Sequence, residues 1–377
     1  MPKILGKNFN WAKPEEPVEK IVMEIKDVPV YMGCVDNSLK PEDDMFADIL
    51  FGVCPHTGTI QSMNRLPPDK VYLNSHNTCV GKTWEEHNQA FADFMLKEFN
   101  ENSVICEIGG GDGNIAARCI DYVKEWHCIE PNRPNNYFKH SKLKYHIEGY
   151  YPQVQIEAAD FVVHSNVLEH FRSPLNFLNN SKAPVQLFSV PNFDTGLVNG
   201  NISMLNFEHE NGLTKNILDE LLDSCGYKHN SIDYKSYVWF YKAEKIGVKR
   251  KINSFNYKNS LYLLIQYHNI IKKQAVTLEK NISSILKPDN EIFFFGAHIF
   301  YTILRSCGLT TEFTGIIDNS YLKINKRLYG TKHIVQHPSL IKNVTNPIVV
   351  IPTTPYKEEM VEEMKLLNNS VNIIIEE

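Results

Sequence analysis

The stretch Val104-Ile-Cys-Glu-Ile-Gly-Gly-Gly-Asp-Gly-Asn114 decides the fold of this chain. A short apolar run carries one acidic residue, Glu107, and leads into a turn in which four of five residues are glycine. A helical pattern, residues 114–123, begins directly after the turn. A strand, a glycine-rich turn and a helix in this order open a nucleotide-binding α/β unit. Glycines permit positive φ angles and let a ligand approach the backbone without an intervening Cβ atom.

The spacing of these glycines distinguishes between two kinds of cofactor. Gly109, Gly111 and Gly113 read G-x-G-x-G, whereas a dinucleotide site reads G-x-G-x-x-G and places a pyrophosphate on the helix N-terminus. Acidic residues before and inside the turn favour a cationic ligand over a pyrophosphate. Glu130 ends the next apolar run, where it could bind both ribose hydroxyls. The alternative is a glycine turn without a ligand.

This combination of motifs resembles the class I S-adenosylmethionine-dependent methyltransferases over about residues 85–240. The resemblance implies that Glu107, the turn glycines Gly109, Gly111 and Gly113, and Glu130 bind S-adenosylmethionine. The segment Asn166-Val-Leu-Glu-His170 resembles a loop common after the fourth strand of these enzymes. We assign Asn166 to the cofactor site and His170 to the reaction. The other interpretation of His170 is a structural histidine.

Other parts of the chain resemble the sugar C-methyltransferases. Residues 47–61 predict two short strands around a turn, similar to the zinc-binding module of that family, but Thr57 replaces the second cysteine of its C-x-x-C. A structural zinc site needs four protein ligands. We therefore expect zinc to be possible but unlikely, and a metal-free relic of the module is favoured. The weak candidate ligands are Cys34, Cys54, His56 and Cys79.

The same resemblance implies the substrate and reaction residues. A polar stretch before the first long helix faces the substrate in that family, although a solvated loop is the alternative here; it contains Tyr72, Ser75, His76 and Asn77. Glu208 and His209 match the end of the family's Y-H-E-H motif, in which Asn206 replaces the tyrosine. We expect His209, oriented by Glu208, to be the general base, with Asn206 near the substrate. The missing tyrosine shifts weight towards O- or N-methylation, and a surface acid beside a helix-capping histidine is the structural alternative.

Further elements predict the domain organisation. We expect a helix capped by Thr83, a basic linker over residues 242–257 and a long amphipathic helix over about residues 259–286. Alternating strands and helices then predict a small parallel lobe that resembles the C-terminal domain of the same family. The predicted fold is α/β, a Rossmann-like class I methyltransferase sheet with a small N-terminal module and a second C-terminal lobe. Its domains are 1–80, the zinc-module-like substrate segment; 81–245, the cofactor domain; and 246–377, the linker helix and lobe.

Composition limits the classes of partner. The chain has 377 residues and a net charge of −5 without a long basic run, so nucleic acid is not an expected partner. No apolar run has the length of a membrane span, and the N-terminus lacks the apolar core of a signal peptide, so we expect a cytoplasmic protein. We expect a monomer or homodimer that methylates a small nucleotide-linked sugar. The alternatives are another small metabolite as substrate, a nucleotide-sugar oxidoreductase or acyltransferase, and a non-catalytic binding protein.

Overall fold

The structure, a computed structural model, describes residues 10, 16, 18–64, 66–73, 81–131, 138–147, 153, 154, 156, 158–251, 256–354 and 356–376. The N-terminal part of the chain forms antiparallel strands and two helices. Its elements are β1 (Met23–Pro29), β2 (Cys34–Val35), β3 (Phe46–Val53), β4 (Ile60–Ser62), α1 (Pro68–Val71) and α2 (Lys82–Met95). β3 pairs antiparallel with β1 and with β4. The predicted strand pair over residues 47–61 is therefore confirmed.

The middle of the chain alternates strands and helices. Its elements are β5 (Val104–Ile108), α3 (Ala116–Cys119), β6 (Glu125–Glu130), β7 (Leu143–Ile147), β8 (Phe161–Ser165), α4 (Pro174–Asn180), β9 (Val185–Pro191), α5 (Phe193–Val198), β10 (Asn211–Gly212), α6 (Lys215–Ser224), β11 (Tyr227–Tyr234) and β12 (Val238–Lys245). Every residue of β5 is buried, as expected for a central parallel strand that is covered on both faces. Apart from the short β10, which pairs with β4, these strands form one sheet.

The strand order of this sheet defines the fold class and the place for a ligand. The order is β11-β12-β9-β8-β5-β6-β7, in which β12 runs in the direction opposite to the other six strands. The predicted α/β fold with an open, Rossmann-like sheet is confirmed. The chain runs outward from β5 to β7 and returns to the other side of β5 as β8. Open α/β sheets bind ligands at the carboxyl ends of the strands where the order reverses in this way.

The C-terminal part forms a second parallel sheet behind a long helix. Its elements are α7 (Tyr257–Ile285), β13 (Ile292–Phe295), α8 (Ile299–Ser306), β14 (Gly315–Ile317), β15 (Arg327–Leu328), β16 (Val335–Gln336), β17 (Ile348–Ile351), α9 (Lys357–Leu367) and β18 (Asn372–Ile375). The order β16-β14-β13-β17-β18 is parallel throughout. The predicted amphipathic helix is α7, which buries Leu264, Ile271, Leu278 and Ile282. Both predictions are confirmed.

The N-terminal segment also contacts the C-terminal part of the chain. β2 pairs with β15, and the Arg327 guanidinium forms a bidentate ion pair with Asp44, with Nη2 2.9 Å from Oδ1. Both side chains are almost fully buried, and this geometry is the strongest form of a carboxylate–guanidinium contact. The predicted boundaries at residues 80 and 245 stay predictions, since strands from different predicted domains share β-ladders.

Three predicted element boundaries differ from the structure. α2 begins at Lys82, and Gly81 with a φ of 120° takes the N-cap position expected for Thr83. The helix expected over residues 114–123 is a short α-helix followed by a 3-10 turn. The expected linker over residues 242–257 begins within β12, where Lys242 extends to Glu98 at 2.6 Å and Ala243 is buried. In the described part of the chain, no helix combines the length and apolarity needed to cross a bilayer.

Candidate active site at the switch point of the sheet

The glycine turn after β5 has a backbone that other residues adopt only under strain. Gly109, Gly111 and Gly113 have φ angles of 71°, 52° and 85°. A Cβ atom on Gly113 would lie 2.5 Å from Tyr145 Oη. The turn is fixed by hydrogen bonds from Gly109 N to Ile129 O and from Gly113 N to Gly110 O, both of 2.9 Å. Its backbone is therefore held at the carboxyl ends of the two central strands β5 and β6.

Two glutamates accompany this turn. Glu130, the last residue of β6, accepts a hydrogen bond of 3.0 Å from Gly111 N. Glu107 is buried in β5 and accepts a hydrogen bond of 2.8 Å from Trp126 Nε1. Burial raises the pKa of Glu107 to about 7, and the charge of Glu130 adds to this increase, whereas the Trp126 bond opposes it. The structure thus places both predicted acids beside the turn, with Glu107 inside the protein and Glu130 in contact with the turn backbone.

The loop after β8 contacts the glycine turn from the other side of the switch point. A Cβ atom on Gly109 would lie only 2.9 Å from Val167 Cγ2. Asn166 has a φ of 52°, an uncommon value for a residue other than glycine, and its N donates to Ser189 O at 3.0 Å. The buried Asn166 Oδ1 has no hydrogen-bond partner among the described residues. Strained residues of this kind occur often at ligand-binding sites.

His170 follows at the end of a 3-10 turn, Leu168–His170, and contacts Tyr72 of the N-terminal segment. Tyr72 Oη lies 2.9 Å from His170 Nδ1. Burial raises the pKa of Tyr72 well above its usual range, and the nearby carboxylates of Glu208, Glu210 and Glu169 act in the same direction. Tyr72 is therefore a neutral phenol at physiological pH. The structure brings together these two residues, which lie 98 positions apart in the sequence.

His209 is held by a backbone carbonyl. Its Nδ1–H donates to Met204 O at 2.7 Å, which leaves Nε2 with a lone pair. Burial lowers the pKa of His209, so that the ring is neutral near pH 7; the Met204 bond and the charge of Glu208 oppose this effect. The ring contacts His170 edge to face, with the centroids 5.0 Å apart. The Met204 carbonyl takes Nδ1 of the ring, and the expected role of Glu208 in orienting His209 stays a prediction.

Asn206 organises the loop that carries Glu208 and His209. Its Oδ1 accepts hydrogen bonds from Glu208 N at 2.7 Å and His209 N at 3.1 Å. Its Nδ2 donates to Ser203 O at 2.9 Å. The buried amide is thus used within its own loop, and the two backbone bonds turn the chain so that it presents consecutive side chains. The role of Asn206 in binding the substrate stays a prediction.

A cavity of about 300 Å³ lies where the N-terminal segment meets these two loops. Its lining combines apolar and charged side chains: Leu66, Pro68, Val71, Tyr72, His170, Arg172, Phe207, Glu208 and Glu210. Burial raises the pKa of Glu210 to about 7, although the charge of Arg172 opposes the increase. Sequence reasoning predicted Tyr72, His170 and Glu208 but missed Arg172 and Glu210. Their closeness in sequence to the predicted histidines was the one available signal.

The remaining predicted residues are not part of this cluster. Ser75, His76, Asn77 and Cys79 lie outside the described residues. Cys34 Sγ lies 3.9 Å from Ala297 O, whereas Cys54 Sγ contacts Asn10 and His56 contacts Glu16. Where the chain is described, Cys34, Cys54 and His56 do not form a group of three metal ligands.

The solved structures that resemble this chain align with less than half of its length. No family model matches the sequence, and no curated protein is significantly similar to it. A chain of the complex between the Haloferax volcanii Trm112 methyltransferase activator and a methyltransferase aligns with 11% identity over 43% of this chain and 91% of its own length, with a TM-score of 0.37. The magnesium protoporphyrin IX methyltransferase of Synechocystis, solved with bound SAH, aligns with 11% identity over 43% of this chain and 84% of its own, with a TM-score of 0.34. A Burkholderia thailandensis 1,6-didemethyltoxoflavin-N1-methyltransferase aligns with 14% identity over 43% and 77% of the two chains, with a TM-score of 0.34.

Proposed function

We propose that this protein is an S-adenosylmethionine-dependent methyltransferase that acts on a small nucleotide-linked sugar. One observation carries the proposal. The glycine turn and Glu130 stand at the switch point of a class I sheet, and the adjoining β8 loop leads directly to His170 and the cavity. A cofactor position and a reaction position thus meet at one edge of the sheet.

The residues at the turn fit S-adenosylmethionine. The four glycines remove Cβ atoms from the approach to the backbone, and Glu130 at the end of β6 supplies acceptors for ribose hydroxyls. Glu107 adds acidic character beneath the turn, and the buried Asn166 Oδ1 offers a further acceptor. When bound, the cofactor supplies a methyl group on a positively charged sulfur as the electrophile. The chain itself must orient the nucleophile and remove its proton.

His209 is the proposed general base. Its neutral ring, fixed by the Met204 carbonyl, keeps the Nε2 lone pair available to accept a proton. Tyr72 Oη and the His170 ring are the proposed donors towards the substrate oxygen, since both line the cavity. Among the described residues of the lining, Arg172 carries the positive charge and suits the phosphate of a nucleotide-linked sugar. Carbon methylation uses these donors to stabilise an enolate beside a sugar carbonyl.

Methylation of an oxygen or nitrogen is the second candidate. The amide of Asn206, at the position of the family's tyrosine, makes its hydrogen bonds within its own loop. An oxygen or nitrogen nucleophile needs the base but no enolate donor from this position. Solvent deuterium exchange beside a carbonyl distinguishes the candidates, because only carbon attack requires removal of a carbon-bound proton.

Calorimetric titration with S-adenosylmethionine, followed by turnover with a panel of nucleotide-sugars, tests the proposal. We expect one cofactor per chain and a product heavier by one methyl group. His209→Gln should keep cofactor binding and lose roughly 10²–10⁴-fold in rate, the usual contribution of a general base. His268→Gln is the matched control, because this histidine of α7 also bonds a backbone carbonyl, Glu24 O at 2.9 Å. Parent-like turnover by His209→Gln would exclude this residue as the base.

A further inference from the structure

Three side chains with metal-ligand atoms meet beside the cavity. Glu169 and His170 belong to the 3-10 turn after β8, and His209 belongs to the loop before β10. One ligand atom from each side chain lies within 4.8 Å of the other two. In the part of the chain that the structure describes, no other group of three or more His, Cys, Asp or Glu side chains meets in this way.

Glu169 is the unusual member of this cluster. Its side chain is fully buried, and neither carboxylate oxygen has a hydrogen-bond partner among the other described residues. Its Oε1 lies 3.8 Å from His170 Nε2, which is too far for a hydrogen bond. A buried carboxyl group without partners is costly and is normally paired or bound to a metal ion. The position of Glu169 is therefore explained by a ligand shared with the histidines.

Both histidines are arranged as metal ligands are. Metal-binding histidines use one ring nitrogen for the ion and give the other to a carbonyl, carboxylate or water, which fixes the ring. His209 donates Nδ1–H to Met204 O, and His170 Nδ1 contacts Tyr72 Oη. One ring nitrogen of each histidine is among the three ligand atoms that approach one another beside the cavity.

We propose that Glu169, His170 and His209 bind a divalent first-row transition-metal ion at the edge of the cavity. Two imidazoles and one carboxylate suit Zn²⁺, Mn²⁺, Fe²⁺ or Co²⁺ better than Mg²⁺ or Ca²⁺, which prefer oxygen ligands. Ligand atoms about 2.0–2.2 Å from one ion lie roughly 3–3.5 Å apart. The ligand atoms therefore need to move only about an ångström or two towards one another to coordinate one ion, which side-chain rotations can supply. Three protein ligands leave coordination positions open to an oxygen of a molecule in the cavity.

The ion changes the part that His209 plays in the proposed reaction. One Nε2 lone pair cannot hold a proton and a metal ion at the same time. A bound ion would act as a Lewis acid towards a substrate oxygen that coordinates it, and the proton of the nucleophile would then pass to solvent rather than to His209. The binding site stands on the geometry of the three side chains and does not depend on the proposed methyl transfer.

Binding of metal ions to the full chain, treated with a chelator and measured without cofactor or substrate, tests the site. We expect one Co²⁺, Zn²⁺ or Mn²⁺ per chain by calorimetry, and a Co²⁺ absorption spectrum without a thiolate charge-transfer band. Glu169→Gln and His209→Gln should each weaken binding by about tenfold or more, since each removes a ligand. Glu210→Gln is the matched control: its carboxyl group also lines the cavity but lies outside the cluster.

Each outcome decides for or against the metal site. One ion per chain, weakened in Glu169→Gln and His209→Gln but not in Glu210→Gln, supports it. Binding of none of the three ions overturns it. A thiolate band would place the ion on cysteines, and parent-like affinity in a Glu169→Gln protein with a parent-like melting curve would place it elsewhere; either result also overturns the site. Cofactor titration and turnover are read separately, so a failure of the proposed methyl transfer remains distinguishable.

Discussion

The turn after β5 and the turn after β13 are built on the same plan but differ in what surrounds them. In each, a buried parallel strand enters a glycine turn, and an acid at the end of the neighbouring strand accepts a backbone N–H of that turn. Gly111 N donates to Glu130 Oε2 at 3.0 Å, and Ala297 N donates to Asp318 Oδ2 at 2.9 Å. The shared acid–backbone bond is therefore a structural device that by itself does not identify a cofactor site.

The two turns differ in their glycines and in the elements that adjoin them. The turn after β13 has one glycine, Gly296, followed by Ala297 and His298. Asp318 is further engaged by Lys323 Nζ at 2.9 Å and by Ser320 N at 2.9 Å. Both oxygens of the Asp318 carboxylate thus bond to groups of the protein itself. The turn after β5 has four glycines and adjoins the β8 loop, which leads to the cavity, and it is therefore the proposed cofactor position of the two.

Lys323→Met should give the largest effect of these variants, and this effect should be a loss of folding stability without a loss of cofactor affinity. Removing one partner of a buried ion pair leaves an uncompensated charge, which costs about 3–5 kcal/mol in the free energy of unfolding. Urea or thermal unfolding measures the loss. The affinity for S-adenosylmethionine should stay at the parent value.

Adding Asp318→Asn to Lys323→Met is the control for charge. The double variant has no buried charge left at this turn and should recover most of the lost stability. A large drop in cofactor affinity in the stable double variant would show that the C-terminal turn binds the cofactor, and the comparison would be reversed.

Glu130→Ala should give the next largest effect, a loss of affinity for S-adenosylmethionine. Loss of hydrogen bonds to a carboxylate is worth roughly 1.5–3 kcal/mol, about tenfold or more in affinity for S-adenosylmethionine. Calorimetric titration measures this loss of affinity. A 2′-deoxyribose analogue of the cofactor then tests whether Glu130 binds the ribose hydroxyls. The parent should prefer the ribose form, whereas Glu130→Ala should not discriminate. Equal discrimination by both proteins would show that another group binds the ribose.

The sequence predicted the elements of both turns because their signals are local. Apolar runs, glycines and a terminal acid predicted β5, its turn and β6, and alternating patterns predicted the parallel lobe. The boundary errors have local causes too. Thr83 is a good capping residue by type, but Gly81 reaches the cap conformation with a φ of 120°. Lys242 has a charge typical of a linker, yet its ammonium reaches Glu98 while its backbone stays in the sheet.

The site was less predictable because it depends on contacts between distant residues. Tyr72 meets His170, and His209 takes the carbonyl of Met204, neither of which is visible as spacing. The role of Asn206 in its own loop was also hidden, since an asparagine side chain serves a substrate and a turn equally well. The cluster that includes Glu169 needs the three-dimensional meeting of two loops.

The smallest effects should come from alanine at one glycine of each turn, Gly113→Ala and Gly296→Ala. Both glycines have positive φ angles, 85° and 110°, so each substitution costs about 1–2 kcal/mol of conformational strain. A Cβ atom on Gly296 has no close neighbour, with Met360 Cε at 3.9 Å, whereas one on Gly113 lies 3.1 Å from Phe138 Cβ as well as against Tyr145. Unfolding experiments should therefore show a larger loss of stability for Gly113→Ala than for Gly296→Ala. Calorimetry should show weaker S-adenosylmethionine binding for Gly113→Ala alone, because only its turn holds the cofactor. Equal weakening in both variants would mean that strain in either lobe reaches the site, and that the two turns are not functionally separate.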